Sequence, residues 1–543
     1  MQETLWQRVK EGLEWFDGAI GEGEEEEEAG RIAGNKGGGR RRGFEQALER
    51  YYPKFRVIHR DLLPSALEPS TRRALEVLKD QMGWFRRDYV WVKGKVTQTM
   101  VTRLLVGERG CTYKYKGLRL FCRSWETEAA KVPDSACHAL AEIRRLNEVL
   151  KEKSRKQHEC FMARGEGSGE GAVEGGVNSF NATLINYFDE SIANHVETRP
   201  EPYYGMGRCC ISWHADDGVV EQSAIAVYNV IERAEKGEEE ELGEVWKVGL
   251  KVKWEVDTPG VAVPMVNGDA YVMLSGFNEK NQHCVVCGRG SRFSSTHRVC
   301  PQEDMYHNFY CRCRETFLQL HFPWNARGVL QEGEERRACL SKIVASLDAL
   351  EDLHDQLEFE WLRQFHFQYF DLPPSELDDY WVEVIHVLAD LWQRMEIVVW
   401  IWISCCRRKS FMVGGKELRD RLERLRQLTS QQKGQGQEVQ SSLPFLMKKL
   451  LRSEGAGGGR EAAGEKAIPE DALELVKATL ARRLQKRQEH RIWWEENFRK
   501  RLSMGRGGEQ REGGKRKRKE GRADGLGFSL LPANLNSLVS TLK

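Results

Sequence analysis

The apolar period of this chain switches near residue 304 from that of strands to that of helices and stays helical, and that switch decides what the chain can fold into. Between Asn181 and Cys300 apolar and polar residues alternate as strands require; afterwards the apolar residues recur at helical spacing. The cleanest alternation sets Trp246, Val248, Leu250, Val252, Trp254 and Val256 against Lys247, Gly249, Lys251, Lys253 and Glu255. Such a strand has one buried and one wet face. Strands at Cys209 to His214, Ala224 to Val230, Ala270 to Leu274, His283 to Val286 and Arg292 to Cys300 complete a set suited to a sandwich or barrel. Upstream, helices are expected at Ser70 to Met82 and Ser135 to Lys153, and strands at Asp88 to Val92 and Thr102 to Val106. Downstream, Leu340 to Phe370, Ser375 to Cys406, Gly415 to Gln432 and Pro469 to Lys500 read as long amphipathic helices of a separate α-helical domain.

The remaining stretches are too polar to join a core. Residues 1–43 carry Glu24 to Glu28 and the Arg40-Arg41-Arg42 tract and are expected to be a disordered charged leader. Inserts at 164–177 and 235–243, a loop at 453–465 and a basic tail at 504–543 with a short terminal helix are low in complexity. The domains expected are therefore 44–305 and 306–503. With 83 basic and 82 acidic residues the net charge is +1, so any polyanion must be held by a local patch rather than by the whole field. The 14 cysteines lack the regular framework of a small secreted domain and read as reduced thiols. The apolar run Ile397 to Ile403 falls well short of the roughly 20 residues of a membrane span and reads as a buried helix. Lys515-Arg516-Lys517-Arg518-Lys519 has the composition of a nuclear-localisation patch, as well as that of a solvated charge run.

Chemistry gathers at Ser212-Trp213-His214-Ala215-Asp216-Asp217. On a strand, His214 and Asp216 leave the same face. Joined by His283 they form two imidazoles and a carboxylate with open coordination positions, a donor set suited to non-haem iron(II) and dioxygen. Arg292 and Arg298, six apart on one strand with Ser294 and Thr296 between them, also share a face and can clamp a carboxylate. The rival use of this region is a zinc site on Cys284 and Cys287, which a continuous strand would place on opposite faces.

Pro202-Tyr203-Tyr204-Gly205-Met206-Gly207, Ile211-Ser212-Trp213-His214, Gln282-His283-Cys284 and Arg292-Phe293-Ser294-Ser295-Thr296-His297-Arg298 together resemble the iron(II)- and 2-oxoglutarate-dependent nucleic-acid demethylases of the AlkB superfamily. Gly110 to Tyr115 and Phe359 to Phe365 carry the likeness further, from about Phe44 to Phe370. The resemblance implies an α+β chain: a double-stranded β-helix (jelly-roll) catalytic domain flanked by helices, then an α-helical bundle. It implies Fe(2+) on His214, Asp216 and His283, with 2-oxoglutarate on Asn186, Tyr271, Arg292, Ser294 and Arg298 and O2 as second co-substrate. A methylated base would meet Arg103, Tyr113, Tyr115, Ser212, Trp213 and Asp217 under a lid that includes Val90 and Val92. The implied reaction is oxidative demethylation of N6-methyladenine in single-stranded RNA, with N3-methylated pyrimidines as lesser substrates and DNA as an alternative strand. A nuclear or partly cytoplasmic monomer or weak homodimer, with no membrane association, is the accompanying expectation. Alternatives are an oxygenase of protein or a small molecule, or a non-catalytic RNA-binding scaffold. The chain departs from the family at Asp217, where the family has glutamate, at Ala215 in place of a histidine, and at Lys116, where the family is apolar.

Overall fold

The computed structural model describes residues 48–92, 94–126, 132–164, 178–195, 198–232, 245–255, 258–319, 333–372, 376–408 and 470–508. The leader, nearly all of both inserts, the expected helix at Gly415 to Gln432, the loop 453–465 and all but the first residues of the tail, including Lys515 to Lys519, lie outside them. The chain divides into two compact units, Met1–Tyr306 and His307–Lys543.

The first unit is a double-stranded β-helix. Its larger sheet has seven strands, in the order β1 (Phe55–Ile58), β14 (Ala270–Met273), β11 (Ile225–Ile231), β16 (Arg292–Arg298), β8 (Ala182–Phe188), β4 (Thr102–Gly107), β7 (Arg123–Ser124). The smaller has five, in the order β13 (Val261–Pro264), β12 (Lys247–Val252), β15 (Asn281–Val286), β10 (Arg208–His214), β9 (Arg199–Pro200). Two hairpins complete the unit, β2 (Tyr89–Val92) with β3 (Lys95–Gln98) and β5 (Thr112–Tyr115) with β6 (Leu118–Phe121).

The strand period sorts the large sheet into two faces. Leu104, Ile185, Ala226, Tyr228, Val272 and Phe293 join one buried cluster with Leu75 and Leu78 and with Leu140, Ile143 and Leu146, and so lie beneath the helices. Those helices are α1 (Leu67–Glu76) and α2 (Asp134–Ala163). The opposite residues of the same strands, Phe188, Ile225, Val227, Tyr271 and Met273, pack with Val248, Leu250, Val263 and Val285 of the small sheet. On the helical side His297 Nδ1 lies 2.7 Å from Asn147 Oδ1 of α2 and 2.9 Å from Thr183 Oγ1, which gives the polar groups under the helix buried partners.

Several element bounds differ from expectation for identifiable reasons. Helix α1 begins at Leu67, with Pro69 inside its first turn, where the missing N–H costs nothing, and ends in the π-turn Val77–Gln81. Helix α2 runs ten residues beyond Lys153: Phe161 is buried in its last turns, and Arg155 donates to Glu152 and Glu159 on the solvent side. Strand β12 stops at Val252 although the apolar alternation continues. Lys253 Nζ donates to the carbonyls of Asn278 and Glu279, both at 2.9 Å, and the backbone turns so that Trp254 is left-handed (φ 64°) and 95% exposed. The alternation predicted a buried Trp254, and the turn overrides it.

The second unit is helical: α3 (Tyr306–Gln319), α4 (Glu334–Gln356), the π-turn Leu357–Leu362, α5 (Arg363–Tyr369), α6 (Asp379–Arg408) and α7 (Glu470–Gly508). Val398, Val399, Trp402 and Ile403 of the apolar run are buried in α6, and among the described residues no helix is long and apolar enough to cross a membrane. The bundle also holds buried charges. Arg491 donates to Glu358 Oε1 (2.7 Å) and to Glu396 Oε1 (3.2 Å), while Arg487 pairs with Glu351 and with Asp355 (2.8 Å). Arg363 and the Trp392 indole donate to Glu358 as well, and His354 Nε2 lies 3.1 Å from Glu396. His354, Glu358 and Glu396 could geometrically hold a cation, but Arg491 is already that cation.

Burial pushes the Glu358 and Glu396 carboxyls up. For Glu358 the Arg491 and Arg363 guanidiniums outweigh it, and for Glu396 the His354 contact and Arg491 do, so both are held at about 2. Acids so depressed add stability that is complete above their usual value of 4.5 and disappears as pH falls towards 2. The thermal midpoint of the bundle, followed by circular dichroism, should therefore fall steeply across that window. At neutral pH Glu358→Gln, which leaves Arg491 and Arg363 a neutral amide where a buried carboxylate stood, should cost about 3 kcal/mol; an unchanged denaturation midpoint would dismiss the network as a source of stability.

Candidate active site

The site is built where β10 and β15 end between the two sheets. On β10 the partners of Ile211 and His214 are Val285 and His283, so Ser212 and Trp213 stand opposite Cys284 alone. That extra residue is a β-bulge, and it changes which side chains face inward. Ile211 packs on the inner cluster and His214 lies opposite His283, with ring centroids 4.2 Å apart. Trp213 is turned to the outer face. Its Nε1 donates to Glu201 (2.7 Å), its ring meets Tyr204 edge-on at 6.0 Å, and Lys251 Nζ stands 5.5 Å from its centroid. The expectation that the Trp213 ring lines a base pocket is therefore corrected: the bulge sends it to the other side of the sheet.

His214, Asp216 and His283 present one ligand atom each within 4.8 Å of one another. His214 Nδ1 donates to the Ser212 carbonyl (2.8 Å), which leaves Nε2 to face Asp216 Oδ1 at 3.7 Å. Ser212 thus serves the site through its backbone; its side chain is exposed, and so is Asp217. Asp216 lies just past the end of β10 rather than on it. Asn278 fixes it there, its Oδ1 accepting from the Asp216 N–H (2.8 Å) and its Nδ2 donating to the Asp216 carbonyl (2.9 Å).

The carboxylate itself is divided. Arg298 Nε and Nη2 donate to Oδ2 at 3.1 and 3.0 Å, and Oδ1 is turned to the histidines. Burial pushes the Asp216 carboxyl up, but Arg298, His283 and His214 outweigh it and hold it at about 2. Burial pulls both imidazoles down, His283 to about 3 with help from His214 and Arg298. At neutral pH the trio is one carboxylate and two neutral imidazoles, the protonation state a divalent cation requires.

Behind the trio a polar row crosses the inner face of the large sheet, where register places Arg103 opposite Asn186, Asn186 opposite Ser294, and Ser294 opposite Asn229. Arg292 is 1% exposed, with its guanidinium 5.2 Å from the Phe188 ring and 5.5 Å from that of Trp246. Its Nη1 and Arg298 Nη1 are buried without a hydrogen-bond partner. Two unsatisfied guanidinium nitrogens beside a two-histidine, one-carboxylate trio fit a bound dicarboxylate and an iron(II) ion. Tyr271, stacked on Phe55 at 5.1 Å, lies on that inner face, and burial raises its hydroxyl to about 12.

The β5–β6 hairpin supplies the other wall. The Tyr113 ring lies 4.8 Å from the Arg298 guanidinium, and its buried hydroxyl has no partner. Tyr115 is near-parallel to Tyr113 (27°, 6.3 Å) and lies under the Arg103 guanidinium at 4.8 Å. Arg103 Nε is 3.5 Å from Asp88 Oδ2. Val90 is buried in β2, and the Val92 side chain is outside the described ones. Asn278 and Asn229 join the site without belonging to any of the motifs that mark it in the sequence. Asn229 carried a signal, being the one amide in the otherwise apolar strand Ile225–Ile231.

A jelly roll that holds two histidines and a carboxylate beside buried arginines is the architecture of an iron(II)- and 2-oxoglutarate-dependent dioxygenase, and that is the class of this chain. The FTO catalytic domain family matches residues 42–301 and the FTO C-terminal domain family residues 312–443, and the chain belongs to the FTO family. It is 30% identical over 395 residues to the alpha-ketoglutarate-dependent dioxygenase FTO of Xenopus laevis, covering 67% of this chain and 76% of that protein. Among solved structures, a prolyl hydroxylase in complex with a hypoxia inducible factor peptide fragment, from Trichoplax adhaerens, aligns with TM-score 0.27 and 11% identity over 48% of this chain and 88% of its own. A 2OG-Fe(II) oxygenase family oxidoreductase from Burkholderia pseudomallei aligns with TM-score 0.25 and 11% identity over 49% and 92%.

Asn278→Ala should leave the fold intact by circular dichroism yet weaken binding of Mn(II), an inert stand-in for iron, by roughly 10- to 100-fold, the usual cost of losing an outer-shell support. Calorimetric titration with Mn(II) would settle it, with Asp216→Ala as the variant expected to bind no metal.

Proposed function

We propose that the chain removes methyl groups oxidatively from bases in single-stranded nucleic acid, with N6-methyladenine in RNA as the leading substrate and N3-methylated pyrimidines as lesser ones. The observation that carries this reading is the pair of near-parallel rings, Tyr113 and Tyr115, placed between Arg298 at the metal trio and Arg103 on the far side. A flipped base has a π-face to stack and polar edges to be read, and a wall of aromatic and guanidinium groups suits both. Membership of the FTO family supports it.

Bound iron(II), with 2-oxoglutarate and dioxygen, supplies a two-electron oxidation of the methyl C–H bond, yielding succinate and carbon dioxide and a hydroxymethyl amine that loses formaldehyde. The protein's part is placement. His214, Asp216 and His283 would hold the metal, with Arg292, Arg298, Asn186, Ser294 and Tyr271 around the co-substrate. Arg103 and the Tyr115 ring would orient the base so that its methyl group faces the trio and water is excluded. The tract Lys515 to Lys519 supports a nuclear location.

Lys116 is the point at which this chain parts from its relatives most usefully. It occupies the hairpin tip with φ 48°, followed by Gly117 at 74°, the pair of left-handed residues that a tight two-residue turn needs. Its side chain is exposed, and its ammonium stands 5.4 Å from the Tyr115 ring. A phosphate flanking a base on Tyr115 would be within its reach.

The reading is tested with a short RNA carrying one N6-methyladenine, incubated with iron(II), ascorbate and 2-oxoglutarate and followed by mass. Loss of the methyl group is expected from the protein and not from His214→Ala. Persistent methylation while 2-oxoglutarate is consumed would move the substrate away from RNA. In a separate titration, Lys116→Leu should bind the same RNA more weakly at low salt and lessen the slope of log affinity against log salt by about 0.7, one phosphate contact on a single strand.

A further inference from the structure

Arg292 is a buried cation whose nearest support is neutral. Asn229, with no exposed surface, donates from Nδ2 to the Asp269 carbonyl (3.1 Å), so its other amide atom, the one turned to Arg292, is the oxygen. That Oδ1 accepts from both Nε (3.1 Å) and Nη2 (2.7 Å) of Arg292. Asp269 is itself anchored: its Oδ1 accepts from the Arg60 N–H (2.8 Å), and its Oδ2 lies 3.1 Å from His59 Nδ1. The orientation of the guanidinium is thus set by a chain of contacts that begins outside the site. The other groups about it are the Phe188 and Trp246 rings, Tyr271 and Cys210. No carboxylate is among them within the described residues, and Nη1 is left without a partner.

We propose that Asn229 is the positioning residue that makes the co-substrate site select a dicarboxylate. Its amide grips two of the three guanidinium nitrogens and holds the group still, yet brings no charge, so the positive charge of Arg292 remains for the ligand's far carboxylate to balance. In Asn229→Asp one carboxylate oxygen would accept the same two hydrogen bonds and neutralise the guanidinium, removing the attraction, while the other would turn an acceptor to the Asp269 carbonyl in place of the donating amide nitrogen. Buried guanidiniums ordinarily pair with carboxylates in the same protein. Here the counter-ion is supplied by the ligand. The inference rests on the dioxygenase class and is independent of which methylated substrate the enzyme takes.

The test compares two ligands that differ only in the far carboxylate, 2-oxoglutarate and 2-oxopentanoate, titrated calorimetrically into the full chain loaded with Mn(II) and without primary substrate. The wild-type protein should strongly prefer 2-oxoglutarate. In Asn229→Asp that preference should shrink by about tenfold or more, while 2-oxopentanoate binds as before. Asn229→Ala, which loosens the guanidinium without neutralising it, should keep more of the preference than the aspartate variant. With RNA turnover as a second readout, Asn229→Asp should raise KM for 2-oxoglutarate and leave kcat at saturation in place. An unchanged ligand preference in Asn229→Asp, or affinity lost equally for both ligands, overturns the proposal. Should that variant fail to fold, because its second oxygen meets the Asp269 carbonyl, Asn229→Ala decides: an affinity for 2-oxoglutarate equal to that of the wild type overturns the proposal.

Discussion

The pairing of Arg298 with Asp216 is the contact on which the rest of the catalytic unit depends. Arg298 belongs to the last strand of the large sheet, and Asp216 to the chain leaving the small one, so their two hydrogen bonds tie the sheets together at the point where the chemistry is done. Burying either group alone would be very costly, and burying both in contact is sustainable. The pairing also divides the carboxylate between two tasks, one oxygen for structure and one for a metal. A single buried ion pair therefore fixes the distance between the sheets and the ionisation of a ligand.

Around that pair, the small sheet departs from regular pairing just where a regular strand would fail. Without the bulge in β10, the period of two would carry Trp213, not His214, to the inner face below Ile211. The irregularity places an imidazole opposite another imidazole and moves the indole to a separate cluster with Tyr204 and Lys251. The side-chain amides of Asn278 and Asn229 then do for the loop and for Arg292 what a continuous ladder does for a strand. Each satisfies polar groups that burial would otherwise leave bare.

Much of this architecture was legible in the sequence. Alternation and its switch to helical spacing near residue 304 marked the β and α parts, because burial on one face imposes those periods directly. The donor set of His214, Asp216 and His283 could be named from the residue types, and the resemblance added the 2-oxoglutarate contacts around it. The rest depends on register and long-range pairing, which no local pattern of residues encodes. A bulge leaves no mark on composition, so the face that Trp213 takes cannot be read from a period of two. Alternation persists through Trp254 although the backbone turns before it, because the turn is made by Lys253 bonding to carbonyls some 25 residues away. The charged layer of the helical unit joins α7 to α4 and the π-turn across more than 130 positions, and in sequence those residues look like any solvated helix face.

One contact described by neither sheet nor hairpin alone binds the halves of the catalytic unit. Gly218, two residues past Asp216, adopts φ 66° and packs so closely on the backbone of Lys114 that any side chain there would strike its carbonyl oxygen. Lys114 lies between Tyr113 and Tyr115. The stretch that carries the ligand carboxylate and the stretch that carries the stacking rings therefore meet backbone to backbone, like two bones at a joint with no cartilage between them. The metal-ligand loop and the Tyr113–Tyr115 pair are parts of one seam, and a shift in either is transmitted to the other.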